Sequence, residues 1–455
     1  MFIFNKNLGN KMKLKDYILT TAASLVIFGS SAYALDTTED GILTKPTLNM
    51  DLNGYAHFQA GYRNQDHLAK SENNISKNND KVAFFNEAAL AANIYNQVND
   101  VTYGAKIVLS TTSRRKNNND FNGTHIYVKT DYGKVELGSS VSPASTMIVE
   151  AGCITAGTGN YGRYSNKSSE FQKQNDGTDP SANKLSPTFA TGIDLFLSDK
   201  LLTKLDSRTY SGEAPRSIIY YSPKFDLAAK TKVRIGVAYT PDSTNTGADN
   251  IDTASSGLET KKIGSSTIDR FEFDNTVKNA LSGAVAVSRN FADGVDLEIG
   301  LSGEYGQAIG FAKEFANEGD TTPVAEHKLK DLRSYNIGAV LNYGNFAYGA
   351  SYGSLGDSLT TEAYHKAGRK TKYYTAAIAY SQGPASVSVD YYRADKFKNT
   401  TQAVTVGTSY KLYDGFKPYF EVTRYEYNGK PEFYPTTEKR KVVGTAVITG
   451  LKLSL

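Results

Sequence analysis

The chain has 455 residues, with 51 Lys and Arg against 47 Asp and Glu and a formal net charge of +4. So even a balance gives no global field for nucleic-acid binding, and a single cysteine, Cys153, excludes an internal disulfide. Only 40% of residues are hydrophobic, mean hydropathy is −0.42, and past the first 34 residues no stretch reaches the roughly 18 uninterrupted apolar residues of a membrane helix.

The amino end has the pattern of a secretory signal peptide. Lys13 and Lys15 form a basic region and Tyr17 to Phe28 an apolar one. Ser30-Ser31-Ala32-Tyr33-Ala34 then supplies an A-x-A cleavage site before Leu35. Met12 stands closer to this pattern than Met1 and offers a second start. Removing residues 1–34 takes away Lys6, Lys11, Lys13, Lys15 and Asp16 and leaves a net charge of +1, with 35–455 as a single domain.

From there the chain alternates. Near 48–63, Leu48, Met50, Leu52, Ala56, Phe58, Ala60 and Tyr62 share one face, and Asn49, Asp51, Asn53, His57, Gln59 and Arg63 the other. Period-2 alternation of this kind places successive side chains on opposite sides of a strand. Further strands are expected near 82–96, 101–113, 122–130 and 133–140. A long gap follows, and then strands near 216–222, 231–240, 276–289, 294–307, 332–343, 345–354, 371–381, 384–394, 402–412, 417–428 and 441–455. That makes sixteen segments, each near the roughly ten residues of a tilted spanning strand.

Connection lengths follow a parity. After even-numbered strands the links are short and rich in turn formers, as at Asp131-Tyr132-Gly133, Ala292-Asp293-Gly294, Gly344-Asn345, Gln382-Gly383 and Asp414-Gly415. After odd-numbered strands they are longer and polar, including 64–81, 241–275, 308–331 and 429–440. An up-and-down barrel with short turns at one end and long loops at the other has this rhythm. Hydrocarbon offers no partner for backbone N–H and C=O groups, so the sheet must close. A wet interior reconciles low hydropathy with residence in lipid, and 31 Tyr with 39 Gly suit aromatic girdles and tight turns.

The gap at 141–214 is too long for an ordinary link. It carries Glu150, Glu170, Asp176, Asp179, Asp194, Asp199, Asp206 and Glu213, and an apolar stretch from Ile193 to Leu205 suited to a short helix. Such apolar content argues that part of the segment folds inward onto the barrel wall. By alternation, the wall itself presents His57, Arg63, Lys106, Lys129 and Arg234 inward. His57, His67, His125, His327 and His365 show no ligand spacing. Asn175-Asp176-Gly177-Thr178-Asp179 lacks the spacing of a calcium loop, so neither metal nor cofactor is expected. No nucleophile, base and orienting group assemble on one strand face, so no enzyme is expected either.

The last strand, Val443 to Leu455, alternates apolar and small or polar residues and stops on the apolar face. Here the chain resembles the general bacterial porins of Gram-negative outer membranes. Tyr132-Gly133-Lys134-Val135-Glu136-Leu137-Gly138 is similar to the family's strand before its constriction loop. Arg216-Ser217-Ile218-Ile219-Tyr220-Tyr221-Ser222-Pro223-Lys224-Phe225 resembles the strand after it. Val406-Gly407-Thr408-Ser409-Tyr410-Lys411-Leu412, Lys417-Pro418-Tyr419 and Gly450-Leu451 resemble the closing strands. The likeness runs from Gly54-Tyr55 to the end. Leu455 replaces the usual terminal phenylalanine, Arg216 an asparagine and Ile219 a frequent arginine, and the Pro-Glu-Phe-Gly-Gly loop signature is missing.

The resemblance implies a homotrimer of sixteen-stranded antiparallel barrels in the outer membrane, touching lipid and lipopolysaccharide. In each, 141–214 forms an inward constriction loop between strands 5 and 6. Glu150, Glu170, Asp194, Asp199 and Asp206 are its acidic candidates, facing the basic wall residues across a water-filled channel for small hydrophilic solutes. The alternative is a barrel-anchored adhesin or structural protein with a closed pore.

Overall fold

A computed structural model describes residues 48–65, 82–112, 121–157, 215–228, 230–243, 257–259, 270–273, 276–291, 294–309, 311–315, 325–359, 362, 370–396, 399–428 and 441–454. The signal-peptide expectation therefore lies outside the described residues.

Strands β1 to β5 are Asn49–Gln65, Val82–Val98, Val101–Thr112, Phe121–Thr130 and Gly133–Ser139; β6, β7 and β8 are Arg216–Tyr221, Phe225–Ala228 and Thr231–Asp242. Short strands β9 and β10 are Gly257–Glu259 and Arg270–Phe273, followed by β11 (Val277–Asn290), β12 (Val295–Ala308) and the short β13 (Phe311–Phe315) and β14 (Ala325–Lys328). The series ends with β15 (Leu332–Tyr343), β16 (Phe346–Gly356), β17 (Thr371–Gln382), β18 (Ala385–Lys396), β19 (Asn399–Tyr410), β20 (Phe416–Asn428) and β21 (Lys441–Ser454).

Every long strand pairs antiparallel with its neighbours in chain order, and β21 returns to β1 from Tyr55↔Ser454 to Gln65↔Gly444. The sheet is a closed antiparallel barrel of sixteen staves. Its seventeen segments make sixteen staves because β6 and β7 both lie on β8. Pro223 has no N–H to give the ladder. Ser222 bridges the break: its backbone N–H donates to Ile235 O and its Oγ accepts from Ile235 N, both at 2.8 Å.

Alternation sorts the two faces. In β18, Val387, Val389 and Tyr391 are exposed on the outside while Ser388, Asp390 and Tyr392 are buried on the inside. The outside is an apolar band flanked by aromatic rows. Tyr343, Phe346, Tyr348 and Tyr380 lie toward the turn end, and Tyr305, Tyr335, Tyr352, Tyr374 and Tyr391 toward the loop end. Bands of this kind meet the two membrane interfaces in spanning barrels.

The parity of connections holds with one exception. Gly344 and Gly383, at φ 58° and 56°, make the left-handed turns that tight hairpins require. Both the start of β1 and the end of β21 lie at this turn end. At the loop end, however, β18 and β19 stay paired to Lys396↔Asn399, so only 397–398 joins them. A second sheet was not expected: β14-β13-β10-β9 joins the connections after β8 and β12 at the loop end.

Candidate functional site

Residues 140–157 leave β5 and lie along the inner wall. Pro143 opens helix α1 (Pro143–Thr146), where its missing N–H costs nothing, and the Ser142 carbonyl accepts from Thr146 N at 2.9 Å. A 3-10 turn follows at Ala151–Ile154. The wall beneath is lined with small residues. A Cβ on Gly236 would come within 2.7 Å of Met147 Sδ and 2.8 Å of Pro143 Cβ. One on Gly300 would meet Val149 Cγ2 at 2.7 Å, and one on Gly349 would meet Ala151 Cα at 2.9 Å. One on Gly407 would meet the Ala156 carbonyl oxygen at 2.6 Å, and at Gly338 it would overlap the Val149 carbonyl oxygen. Glycine is what allows backbone to lie on backbone here.

Polar seams complete the attachment. Ser142 Oγ donates to Glu304 Oε1 at 3.2 Å, Ala144 N to Ser282 Oγ at 3.1 Å and Ala156 N to Ser388 Oγ at 2.8 Å. At the far end Lys452 Nζ donates to Gly157 O at 3.1 Å. The same Lys452 lies 5.5 Å above the ring of Tyr419, whose hydroxyl meets His57 Nε2 at 2.8 Å and accepts from Gln59 Nε2 at 2.5 Å. The described segment thus follows the ring from β5 to β21.

On the remaining arc, β3 to β5 carry a compact charged group on the inner face. Lys134 Nζ is 2.7 Å from Glu136 Oε1 and 4.4 Å above the Tyr127 ring. His125 Nε2 lies 3.8 Å from the same carboxylate, whose other oxygen accepts from Ser140 Oγ at 2.7 Å. Lys106 pairs in register with His125 and Asn93, and Asn93 with Asp51. This arrangement can hold and orient charged or dipolar solutes in water.

A profile of Gram-negative porins matches residues 20–430. The chain belongs to the Gram-negative porin family. A protein of Rickettsia bellii (strain RML369-C) is 36% identical over 443 residues, 95% of this chain and 98% of its own length. One of Rickettsia conorii (strain ATCC VR-613 / Malish 7) is 34% identical over 448 residues, 96% of this chain and 99% of its own. Both are described only as uncharacterized proteins. Among solved structures, an anion-selective porin from Comamonas acidovorans is similar at 13% identity and TM-score 0.49, covering 90% of this chain and 100% of that one. A variant of the Rh. blastica porin gives 12% identity and TM-score 0.46, covering 89% and 100%.

In this porin His57 is buried on the inner face and is held by Tyr419. Lys106 is inward beside His125, and Arg234 is inward with its guanidinium 5.1 Å above the Tyr221 ring. Lys129 shares their face but is exposed at the turn end, in register with Lys134. Arg63 lies in β1 with its side chain outside the described residues. Among the acidic candidates, Glu150 is 5% exposed, in the seam beside Cys153. Burial, and then the Glu150 carboxylate, push that thiol up to about 12. Glu170, Asp194, Asp199 and Asp206, the Asn175–Asp179 turn and the Ile193–Leu205 stretch all lie outside the described residues.

Lys134, Glu136, Lys452 and Tyr419 were not among the expected site residues. The signal was present, since each sits at an inward position of its strand. Parity alone, however, does not say at what height along the wall a charge meets the inner segment.

Proposed function

We propose that this porin forms a water-filled channel for passive diffusion of small hydrophilic solutes and ions, exported by its signal peptide and assembled as a homotrimer in lipid and lipopolysaccharide. The observation that supports it best is the seating of residues 140–157 on the inner wall, with the Lys106–His125–Lys134–Glu136 group on the arc it leaves open. Charged side chains around a narrowed aqueous path select by field and width. In this reading 141–214 is the constriction loop. Glu170, Asp194, Asp199 and Asp206 belong to its acidic side, His57, Arg63, Lys106, Lys129 and Arg234 to the basic wall, and Glu150 to the seam that fixes it.

The sheet β14-β13-β10-β9 favours a second reading, a surface-exposed structural protein on a closed barrel. Purified protein in planar bilayers separates the two. Stepwise conductance is expected; protein that inserts as folded barrels and stays electrically silent refutes the channel. Neutralising Lys106, Lys129 and Arg234 together is expected to move reversal potentials toward cation preference.

A further inference from the structure

His125 stands in the middle of β4, on the lumen side, and is only 6% exposed. Its β5 partner Gly138 makes room for it. At φ 130° that position suits glycine, and a Cβ there would come within 3.0 Å of His125 Cα. The ring is hydrogen-bonded to the backbone of Ser139. Nε2 finds no hydrogen-bond partner among the described residues, so the anchor is Nδ1–H on the Ser139 carbonyl. That bond selects the tautomer and leaves Nε2 as the bare nitrogen of the neutral imidazole.

What Nε2 faces is charged. Glu136 Oε1 is 3.8 Å away and is held by Lys134 Nζ at 2.7 Å, while Ser140 Oγ donates to the other oxygen at 2.7 Å. Lys106 lies directly across on β3. Tyr127 and Lys129 follow on the same face of β4, the Tyr127 ring centroid 6.5 Å from that of His125. A bare ring nitrogen and a carboxylate oxygen are both acceptors, so no hydrogen bond joins them while the ring is neutral. One proton on Nε2 converts the contact into a charge-assisted bond. It also changes the local charge. Lys106 and Lys134 against Glu136 leave one net positive charge on the arc, and a protonated His125 makes two. Imidazole is the side chain whose ordinary charge change falls between about pH 5 and 8. The other described lumen histidine, His57, already shares a hydrogen bond with Tyr419.

We propose that His125 is a specificity-determining residue that ties the pore's ion preference to acidity. Protonated at Nε2, it turns the open arc toward anions, most of all those carrying two charges; neutral, it leaves the arc nearer balance. The proposal rests on the channel reading and adds to it a residue whose charge is not fixed. Ordinary carboxylates lose their charge near about pH 4 and ordinary ammonium groups near about pH 10. A change of preference between those limits therefore carries the signature of the imidazole.

The test uses the purified full chain in planar bilayers, with reversal potentials read across a potassium chloride gradient at stepped pH. In the parent, the anion-to-cation permeability ratio is expected to rise at least about twofold from about pH 7.5 to about pH 5.5, along a one-proton curve. H125Q, which cannot take the proton, is expected to give one ratio throughout that interval. H125R, whose charge is permanent, is expected to give a raised ratio at both ends. Folding of each variant is checked by strand circular dichroism and heat-dependent gel mobility. A parent whose ratio is the same at both ends overturns the proposal without any variant. So does a folded H125Q that still shifts, or a folded H125R that follows the parent. Conduction with a pH-independent preference defeats this proposal alone, whereas folded barrels that stay electrically silent defeat the channel reading and this proposal with it.

Discussion

Replacing the glycines under the inner segment converts the seating into a measurable pore dimension. At Gly300 an added Cβ stands 2.7 Å from Val149 Cγ2 and 2.8 Å from Val149 Cβ. Ordinary carbon contacts are about 3.5–4.0 Å, so Gly300→Ala forces a separation of about 1 Å. At Gly407 the Cβ stands 2.6 Å from the Ala156 carbonyl oxygen, against about 3.3–3.6 Å for a relaxed C···O contact, again close to 1 Å. The wall is held by two ladders on every stave, so the segment is what moves, and it moves toward the lumen. Overpacking of this kind costs about 1–3 kcal/mol. The double variant G300A/G407A is expected to fold, with lower single-channel conductance and more frequent closures than the parent. Gly283→Ala is the control: it lies on the outer face, with only the Gly236 carbonyl oxygen nearby, at 4.0 Å. There, losing a glycine from a strand is expected to stabilise by about 0.5–1 kcal/mol and leave conductance unchanged. Equal conductance in G300A/G407A and the parent, both verified as folded, refutes the claim that wall glycines set the path's width.

Three further outcomes follow from the same geometry. Lys452→Met removes a charged donor to Gly157 O, an interaction worth about 1.5–3 kcal/mol; noisier open-channel current is expected, and unchanged noise shows that Gly157 is held by other groups. Glu136→Gln removes the carboxylate that neutralises Lys134 at 2.7 Å, so reversal potentials across a salt gradient are expected to shift toward anions, whereas K106M/K134M shifts them toward cations; no change in either places this group outside the permeation path. Cys153, with its thiol pushed up to about 12 by burial and Glu150, is expected to alkylate in the folded protein at a rate that rises about tenfold per unit from pH 8 to 10, where an ordinary thiol of about 8.5 levels off. Because the folded state favours the neutral thiol, its stabilising contribution is complete below the unfolded value near 9.0 and is lost as pH rises toward 12; labelling that levels off by pH 10 contradicts this.

How far the sequence carries is shown best by two inward lysines. Lys106 could be placed on the inner face from the sequence, because Val101, Tyr103, Ala105, Ile107 and Leu109 hold the other parity, and the structure sets it beside His125. The same logic found all sixteen staves, since period 2 is a local property of the chain and one face must meet lipid. Lys452 carries equal parity information in β21, yet its part is fixed by Gly157, nearly three hundred residues earlier in the chain. No local pattern encodes that meeting. The small outer sheet escaped for a related reason: β9 to β14 include segments of three to five residues whose pairing crosses two connections, too short for alternation to stand out. The continuation past Pro223, carried by Ser222 through Ile235, was not legible from local pattern either.

The inner segment shows why the site is harder to read than the barrel. A stave needs only its own alternation and a neighbour. The path of residues 140–157 needs Gly236, Gly300, Gly338, Gly349 and Gly407, on five different staves, to be small in the same sense. Each glycine alone reads as a weak strand residue or a bulge. Together they form a track, and they do so only once strand register has been fixed around most of the ring. The width of the path is therefore a property of the closed barrel, set by side chains that are missing from its wall.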